Sequence, residues 1–148
     1  MIDALKHEHS QIASDMEINV AMELMRSKQF KRAIQLLKSF EKKDIKLKAK
    51  AATNLSFLYF LENEYAQADK YANIAVRSDR YNSKALVNKG NCLFMKGDLE
   101  RAKELYLEAI GVEADCTEAI YNLGVRPFQA SLRSPSARAL PCACTSPS

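Results

Sequence analysis

The sequence has no tryptophan, only two histidines and four cysteines among its 148 residues. No run of apolar residues approaches the roughly 18 that a membrane-spanning helix needs. The first ten residues, MIDALKHEHS, lack the basic segment and the apolar core of a secretory signal. The cysteines show neither zinc nor disulfide spacing; they are Cys92, Cys116, Cys142 and Cys144. We therefore expect no membrane span and a reducing, cytoplasmic setting.

Residues that commonly carry catalysis are equally sparse. His7 and His9 are the only histidines, and a metal site beside them would need further ligands that the sequence does not offer. The chain has no glycine-rich phosphate loop, and no nucleophile can be paired with a base. We expect a protein that is not an enzyme and that holds no cofactor and no metal ion.

The strongest pattern present is an internal repeat. Ala33, Ala68 and Ala102 occupy the same place in successive units, separated by 35 and then 34 residues. Each alanine follows an aromatic residue or leucine by three positions and a small residue by twelve. A period of this size predicts a solenoid of helical hairpins, an architecture that stacks repeats to bury a continuous core.

This frame divides the chain into units. We predict an N-terminal lead-in over 1–13 that is compatible with a helix, complete units over 14–47, 49–82 and 83–116, a truncated unit over 117–125, and a disordered tail over 126–148. Helices are predicted at 14–27, 29–42, 47–61, 64–77, 83–95, 98–111 and 117–125. The tail contains all four prolines and no acidic residue, so it cannot bury enough apolar surface to order itself. The truncated unit is expected to lack most of its first helix and all of its second.

Small, aromatic, glycine and alanine positions at this spacing resemble the tetratricopeptide-repeat (TPR) family over residues 14–124. The third unit, SKALVNKGNCLFMKGDLERAKELYLEAIGVEAD, is nearest to the family pattern, although Ala114 stands where the family has proline. The resemblance implies an all-α solenoid of antiparallel helix hairpins, wound into a right-handed superhelix, that acts as a protein-protein interaction scaffold.

Longer segments, such as MELMRSKQFKRAIQLLKSFEKKDIK, resemble the TPR proteins of the intraflagellar transport B complex over residues 3–124. That resemblance implies a role in cilium assembly. It also implies partners among the subunits of that complex and a location at the cilium and basal body.

In TPR proteins the first helix of each hairpin lines the concave face. One position of that helix is asparagine in every unit: Asn19, Asn54, Asn88 and Asn122. A column of amides can donate to and accept from the backbone of an extended peptide; the alternative is that the amides merely face water. The other residues predicted to form the partner-binding surface are Lys50, Lys84, Met22, Phe57 and Asn91.

The sequence also bears on two other modes of binding, a carboxylate clamp and a basic surface. Some TPR proteins clamp the C-terminal carboxylate of a chaperone with basic and amide side chains, but only Asn54 and Lys84 match that pattern, so we expect no clamp. The segment 26–50 holds ten basic residues against two acidic ones. An alternative function is therefore binding to nucleic acid or an acidic surface. Phe30 and Phe40, the only aromatics there, are better explained by packing than by base stacking, and we expect no nucleic-acid partner.

Overall fold

The computed structural model describes residues 2–129, with side chains described for 4–6, 8–10 and 12–124. All regular structure in this range is helical. The α-helices are α1 (Ile2–Arg26), α2 (Phe30–Ser39), α3 (Ile45–Leu61), α4 (Tyr65–Ser78), α5 (Ser83–Met95), α6 (Leu99–Val112) and α7 (Thr117–Gln129), and a short 3-10 helix, Phe40–Lys42, follows α2. The all-α prediction is confirmed. None of these helices is long and apolar enough to cross a membrane.

The predicted helices agree with the observed ones except at the two ends. The lead-in 1–13 continues into the first unit, because no glycine or proline interrupts the helix between Ile2 and Arg26. The first helix of the fourth unit runs on to Gln129 and is as long as α5, 13 residues. The prediction that most of this helix is lost is wrong, since losing the repeat pattern is not itself a helix stop signal. From residue 130 onward the predicted tail lies outside the described residues.

Each hairpin is closed by the same tight turn. One residue of the turn has a positive φ: Lys28 at 59°, Asn63 at 63° and Gly97 at 87°. The N–H of the next residue donates to the carbonyl five positions back, at 2.8–3.0 Å; the pairs are Gln29 to Leu24, Glu64 to Tyr59 and Asp98 to Leu93. This arrangement is the Schellman helix end, in which glycine and asparagine are the usual left-handed residues. The three turns therefore fall in the gaps between the predicted helices of each unit, at 28, 62–63 and 96–97.

The helices pack in pairs, and the pairs pack on each other. α1 contacts α2, α3 contacts α4 and α5 contacts α6, while α2–α3, α4–α5 and α6–α7 contacts join consecutive units. Ala33, Ala68 and Ala102, the residues that define the repeat, are all buried. A methyl group at this position leaves room for the neighbouring helix backbone to approach closely.

The repeat register also shows which side of a first helix meets which neighbour. Met16 is 63% exposed, whereas the equivalent residues Ala51, Ala85 and Ala119 are buried. Because Ala119 is covered although it lies in α7, the last helix that the structure describes, this side must face the preceding unit. The opposite holds for Tyr121, which is 46% exposed although its counterparts Ile18, Thr53 and Val87 are buried. We call these sides the start face and the end face of a first helix.

Candidate partner-binding surface

The predicted asparagine column does not form one exposed surface. Asn19 is exposed, but Asn54, Asn88 and Asn122 are no more than 1% exposed. Both sequence-based expectations for these three residues, an accessible peptide ladder and a row facing water, need correction. The reason is that neighbouring helices cover this position in every unit after the first.

Two of the buried asparagines connect consecutive units through hydrogen bonds. The Asn88 side chain in α5 donates to the backbone carbonyl of Thr53 in α3, at 3.2 Å. The Asn122 side chain in α7 donates to Oδ1 of Asn91 in α5, at 3.0 Å. Buried amides need such partners, because a buried polar group without one costs about 1–3 kcal/mol. The recurrence of asparagine is thus accounted for at these two sites by cohesion between units.

Asn91 was predicted to contact a partner and is instead fully buried. Its Oδ1 also accepts a hydrogen bond from the hydroxyl of Tyr106, at 2.7 Å. Tyr106 lies in α6, so one amide oxygen links the helices α5, α6 and α7. The prediction missed this arrangement because the sequence gives the helix face but not the helix that covers it.

The remaining predicted residues keep some contact with solvent. Lys50, Lys84, Met22 and Phe57 are all half-buried. Met22 and Phe57 pack against the core of the first two units, so each presents only part of its side chain. The Lys50 ammonium lies 3.3 Å from the Asp15 carboxylate of α1. These four residues, together with the exposed Asn19, are the part of the predicted surface that a partner can reach.

A cleft of about 430 Å³ lies beside Lys50, between α1 and the start of α3. It is lined by Ser10, Ser14, Asp15, Lys43, Asp44, Lys46, Leu47 and Lys50. Lys43 and Lys46 were not among the predicted partner-binding residues, although both lie in the basic segment 26–50.

The charges of this cleft are partly compensated from α1. Lys43 is held by Glu17 at 2.8 Å, and Lys50 by Asp15, whereas Lys46 has no carboxylate within ion-pair distance among the side chains that the structure describes. Both pairs are largely solvent-exposed, so each contributes only about 0–1 kcal/mol to stability. An acidic ligand could therefore exchange with the carboxylates of α1 at small cost.

The two cysteines with described side chains are unsuited to reaction. Cys92 is fully buried, and its burial, reinforced by the charge of Asp69, raises the pKa of the thiol to about 12. Burial also raises the pKa of the Cys116 thiol. A thiol rather than a thiolate is a poor nucleophile and a poor metal ligand. Among the side chains that the structure describes, no three His, Cys, Asp or Glu residues are grouped to hold a metal ion.

No protein-family model matches the chain. Over 75 residues it is 50% identical to the human intraflagellar transport protein 88 homolog, also called polaris, a stretch that covers 51% of this chain and 9% of that protein. It is 33% identical over 75 residues to the UDP-N-acetylglucosamine–peptide N-acetylglucosaminyltransferase of Caenorhabditis elegans, covering 51% of this chain and 6% of that enzyme. The chain thus spans less than a tenth of the length of these curated relatives.

Solved structures share the fold over most of the chain. The C-terminal TPR-containing domain of a putative FK506-binding protein from Plasmodium falciparum has a TM-score of 0.64 at 21% identity and covers 82% of this chain and 91% of its own. The first TPR of Spaghetti, bound to the HSP90 peptide SRMEEVD, has a TM-score of 0.64 at 23% identity, with 82% and 94% covered. The Sgt2 TPR domain of Aspergillus fumigatus has a TM-score of 0.62 at 20% identity, with 89% and 91% covered.

At these identities the structural likeness establishes the fold, and the similarity to the human protein is confined to half of the chain. The helix pairs, the shared turns and the buried alanines are what that fold requires. The chain has the tetratricopeptide-repeat fold, and about half of its 148 residues resemble a stretch of intraflagellar transport protein 88.

Proposed function

We propose that this chain is a protein-protein interaction module of intraflagellar transport, which binds other subunits of the B complex and is located at the cilium and basal body. The observation that carries the proposal is the 50% identity over 75 residues with the intraflagellar transport protein 88 homolog. Solenoids of this type serve mainly to bind other proteins, because their stacked repeats form extended surfaces.

The surface that best fits a partner is the cleft between α1 and α3, together with Asn19, Met22 and Phe57 beside it. Lys43, Lys46 and Lys50 bring three ammonium groups to one cleft, which favours an acidic segment of the partner. The structure of Spaghetti was solved with the peptide SRMEEVD, which carries three carboxylate side chains. This supports an acidic peptide as the ligand class. The peptide would bind through the lysines of the cleft and not through a carboxylate clamp, for which only Asn54 and Lys84 match.

Nucleic-acid binding has less support. Phe40 is fully buried and Phe30 is half-buried, so neither ring in the segment 26–50 can serve as a platform for a base. The basic segment therefore supports binding to an acidic protein segment better than binding to RNA or DNA.

The test is a pull-down of purified B-complex subunits by the full chain at physiological salt. The double variant Lys46→Glu with Lys50→Glu should weaken retention by about tenfold or more, since charge reversal in the cleft costs at least about 1.4 kcal/mol of binding energy. Lys31→Glu with Lys103→Glu is the matched control, because both lysines are exposed outside the cleft. If the chain retains no subunit, the proposed function is wrong. If both variants retain the subunits equally well, the cleft is not the binding surface.

A further inference from the structure

Helix α1 is apolar on two opposite sides. On one side Ile18, Ala21 and Met25 are buried against the core. The other side carries Leu5, Ile12, Met16 and Val20, which are 54%, 58%, 63% and 53% exposed. Their spacings of seven, four and four residues place them in one stripe along the helix. An apolar face of this length on a surface helix normally lies against another element of structure.

The later units show what covers this face. Ala85 is equivalent to Met16, and it shares a core cluster with Tyr71 and Ala75 of α4. Ala119 is the next equivalent, and it clusters in the same way with residues of α6. Helices α4 and α6 are the second helices of the preceding units. The start face of a first helix is therefore a surface shaped to receive an amphipathic helix.

The charges beside the stripe define the partner further. α1 contains five carboxylate residues and only two basic ones, Lys6 and Arg26. Asp15 and Glu17 pair with lysines of the cleft, whereas Glu8 and Glu23 are exposed and by helical geometry lie within or beside the stripe. A helix that packs here gains from basic residues along the edges of its apolar side.

We propose that the start face of α1 is a second docking site, distinct from the cleft, and that it receives a basic amphipathic helix from another polypeptide. Leu5, Ile12, Met16 and Val20 supply the apolar contact, and the carboxylates beside them select the charge. The partner helix occupies the place that α2, α4 and α6 take on α3, α5 and α7. One chain can therefore hold two ligands of different kinds, an acidic segment in the cleft and a basic helix on α1.

A suitable probe is a fluorescent peptide with the sequence of residues 29–42, QFKRAIQLLKSFEK, because α2 is itself a basic second helix. Its binding to the full chain is measured by fluorescence anisotropy. Met16→Glu with Val20→Glu should weaken binding by about tenfold or more, which corresponds to about 1.4 kcal/mol. Both residues are exposed, so thermal unfolding followed by circular dichroism should be unchanged. Replacing Lys31, Arg32 and Lys38, three of the four basic residues of the peptide, by glutamate should also weaken binding.

Leu107→Glu with Val112→Glu is the matched control, since these exposed apolar residues lie on α6, away from the stripe. Binding that is weakened equally by the control pair, or unaffected by the α1 pair, would overturn the proposal. Sedimentation of the unliganded chain gives a second measurement. If the chain forms a dimer that is lost in the Met16→Glu, Val20→Glu variant, the start face of α1 binds a second copy of the chain. That result would also overturn the proposal.

Discussion

The ring of Tyr106 occupies the space that a side chain on Gly90 would need. A β-carbon at Gly90 would lie 2.6 Å from Cε1 of Tyr106, closer than such atoms approach in folded proteins. In the preceding unit the same two positions hold Ser56 and Ala72, both buried. The third unit thus removes volume from its first helix and adds it to the second. Tyr106 also brings a hydroxyl group, which donates a hydrogen bond to Asn91. Because Asn91 also accepts from Asn122, this contact joins the third unit to α7.

Gly90→Ala should destabilise the chain. Helix propensity alone would favour alanine by about 1 kcal/mol, but overlap with Tyr106 costs about 1–3 kcal/mol, and we expect a net loss. Gly111→Ala, where the added methyl group meets open space on α6, should instead gain about 0.5–1 kcal/mol. Urea unfolding measures both. In a Tyr106→Ala background the loss at Gly90 should become a gain, and persistence of the loss would contradict the assigned contact.

Asn91→Ala should be more damaging than an ordinary asparagine substitution. It removes the oxygen that accepts from Tyr106 and Asn122, and each buried donor that loses its acceptor costs about 1–3 kcal/mol. Asn19→Ala is the control, because Asn19 is exposed. Substitutions at exposed positions usually change the free energy of unfolding by no more than about 0.5 kcal/mol. Equal free energies of unfolding for the two variants would mean that the network does not stabilise the junction.

Lys28→Gly should stabilise the first hairpin. Lys28 has φ of 59°, and a residue with a β-carbon pays about 1–2 kcal/mol for that conformation. Glycine at the equivalent position 97 avoids this cost, so we expect a gain of about 1 kcal/mol. Lys31→Gly is the same chemical change in the first turn of α2 and should lower the free energy of unfolding by up to about 1 kcal/mol. The prediction fails if Lys28→Gly unfolds at the same or a lower urea concentration than the parent.

Stability should fall at alkaline pH because of Cys92. Burial raises the pKa of its thiol in the folded chain to about 12, above the ordinary value near 9. The unfolded chain therefore releases this proton first, and between pH 9 and 12 each pH unit costs up to about 1.4 kcal/mol. Cys92→Ala should flatten this part of the stability curve relative to the parent. An unchanged slope would show that other groups, such as Tyr71, control the alkaline transition.

The repeat allowed much of the fold to be predicted from the sequence, for physical reasons visible at single positions. Ala33, Ala68 and Ala102 mark a place where helix backbones meet, and their spacing fixes the units. Gly97 tolerates a positive φ, so the turn of the third unit could be placed as well. The helix ends at Ile2 and Gln129 were missed, because α1 and α7 extend beyond residues 14 and 125, where the repeat pattern ends.

The site was harder to predict, since exposure depends on contacts between units. Asn54, Asn88 and Asn122 share one helix position and look like a ladder when a single unit is considered. Whether that position faces a ligand or a neighbouring helix is decided by how adjacent units pack, which periodicity does not specify. The cleft likewise joins Lys43 and Lys50 to Asp15, residues that only the packing of α1 on α3 brings together.

The shared turns at Lys28, Asn63 and Gly97 have a consequence for how the chain folds. Each hairpin is closed by contacts between residues close in sequence, so little chain entropy is lost before the first contacts form. Any hairpin can therefore start folding, and the array then grows by adding neighbours. Helices α1 and α7 each retain one uncovered side. Their amide hydrogens should exchange with solvent first, while those of α3, α4 and α5 exchange last.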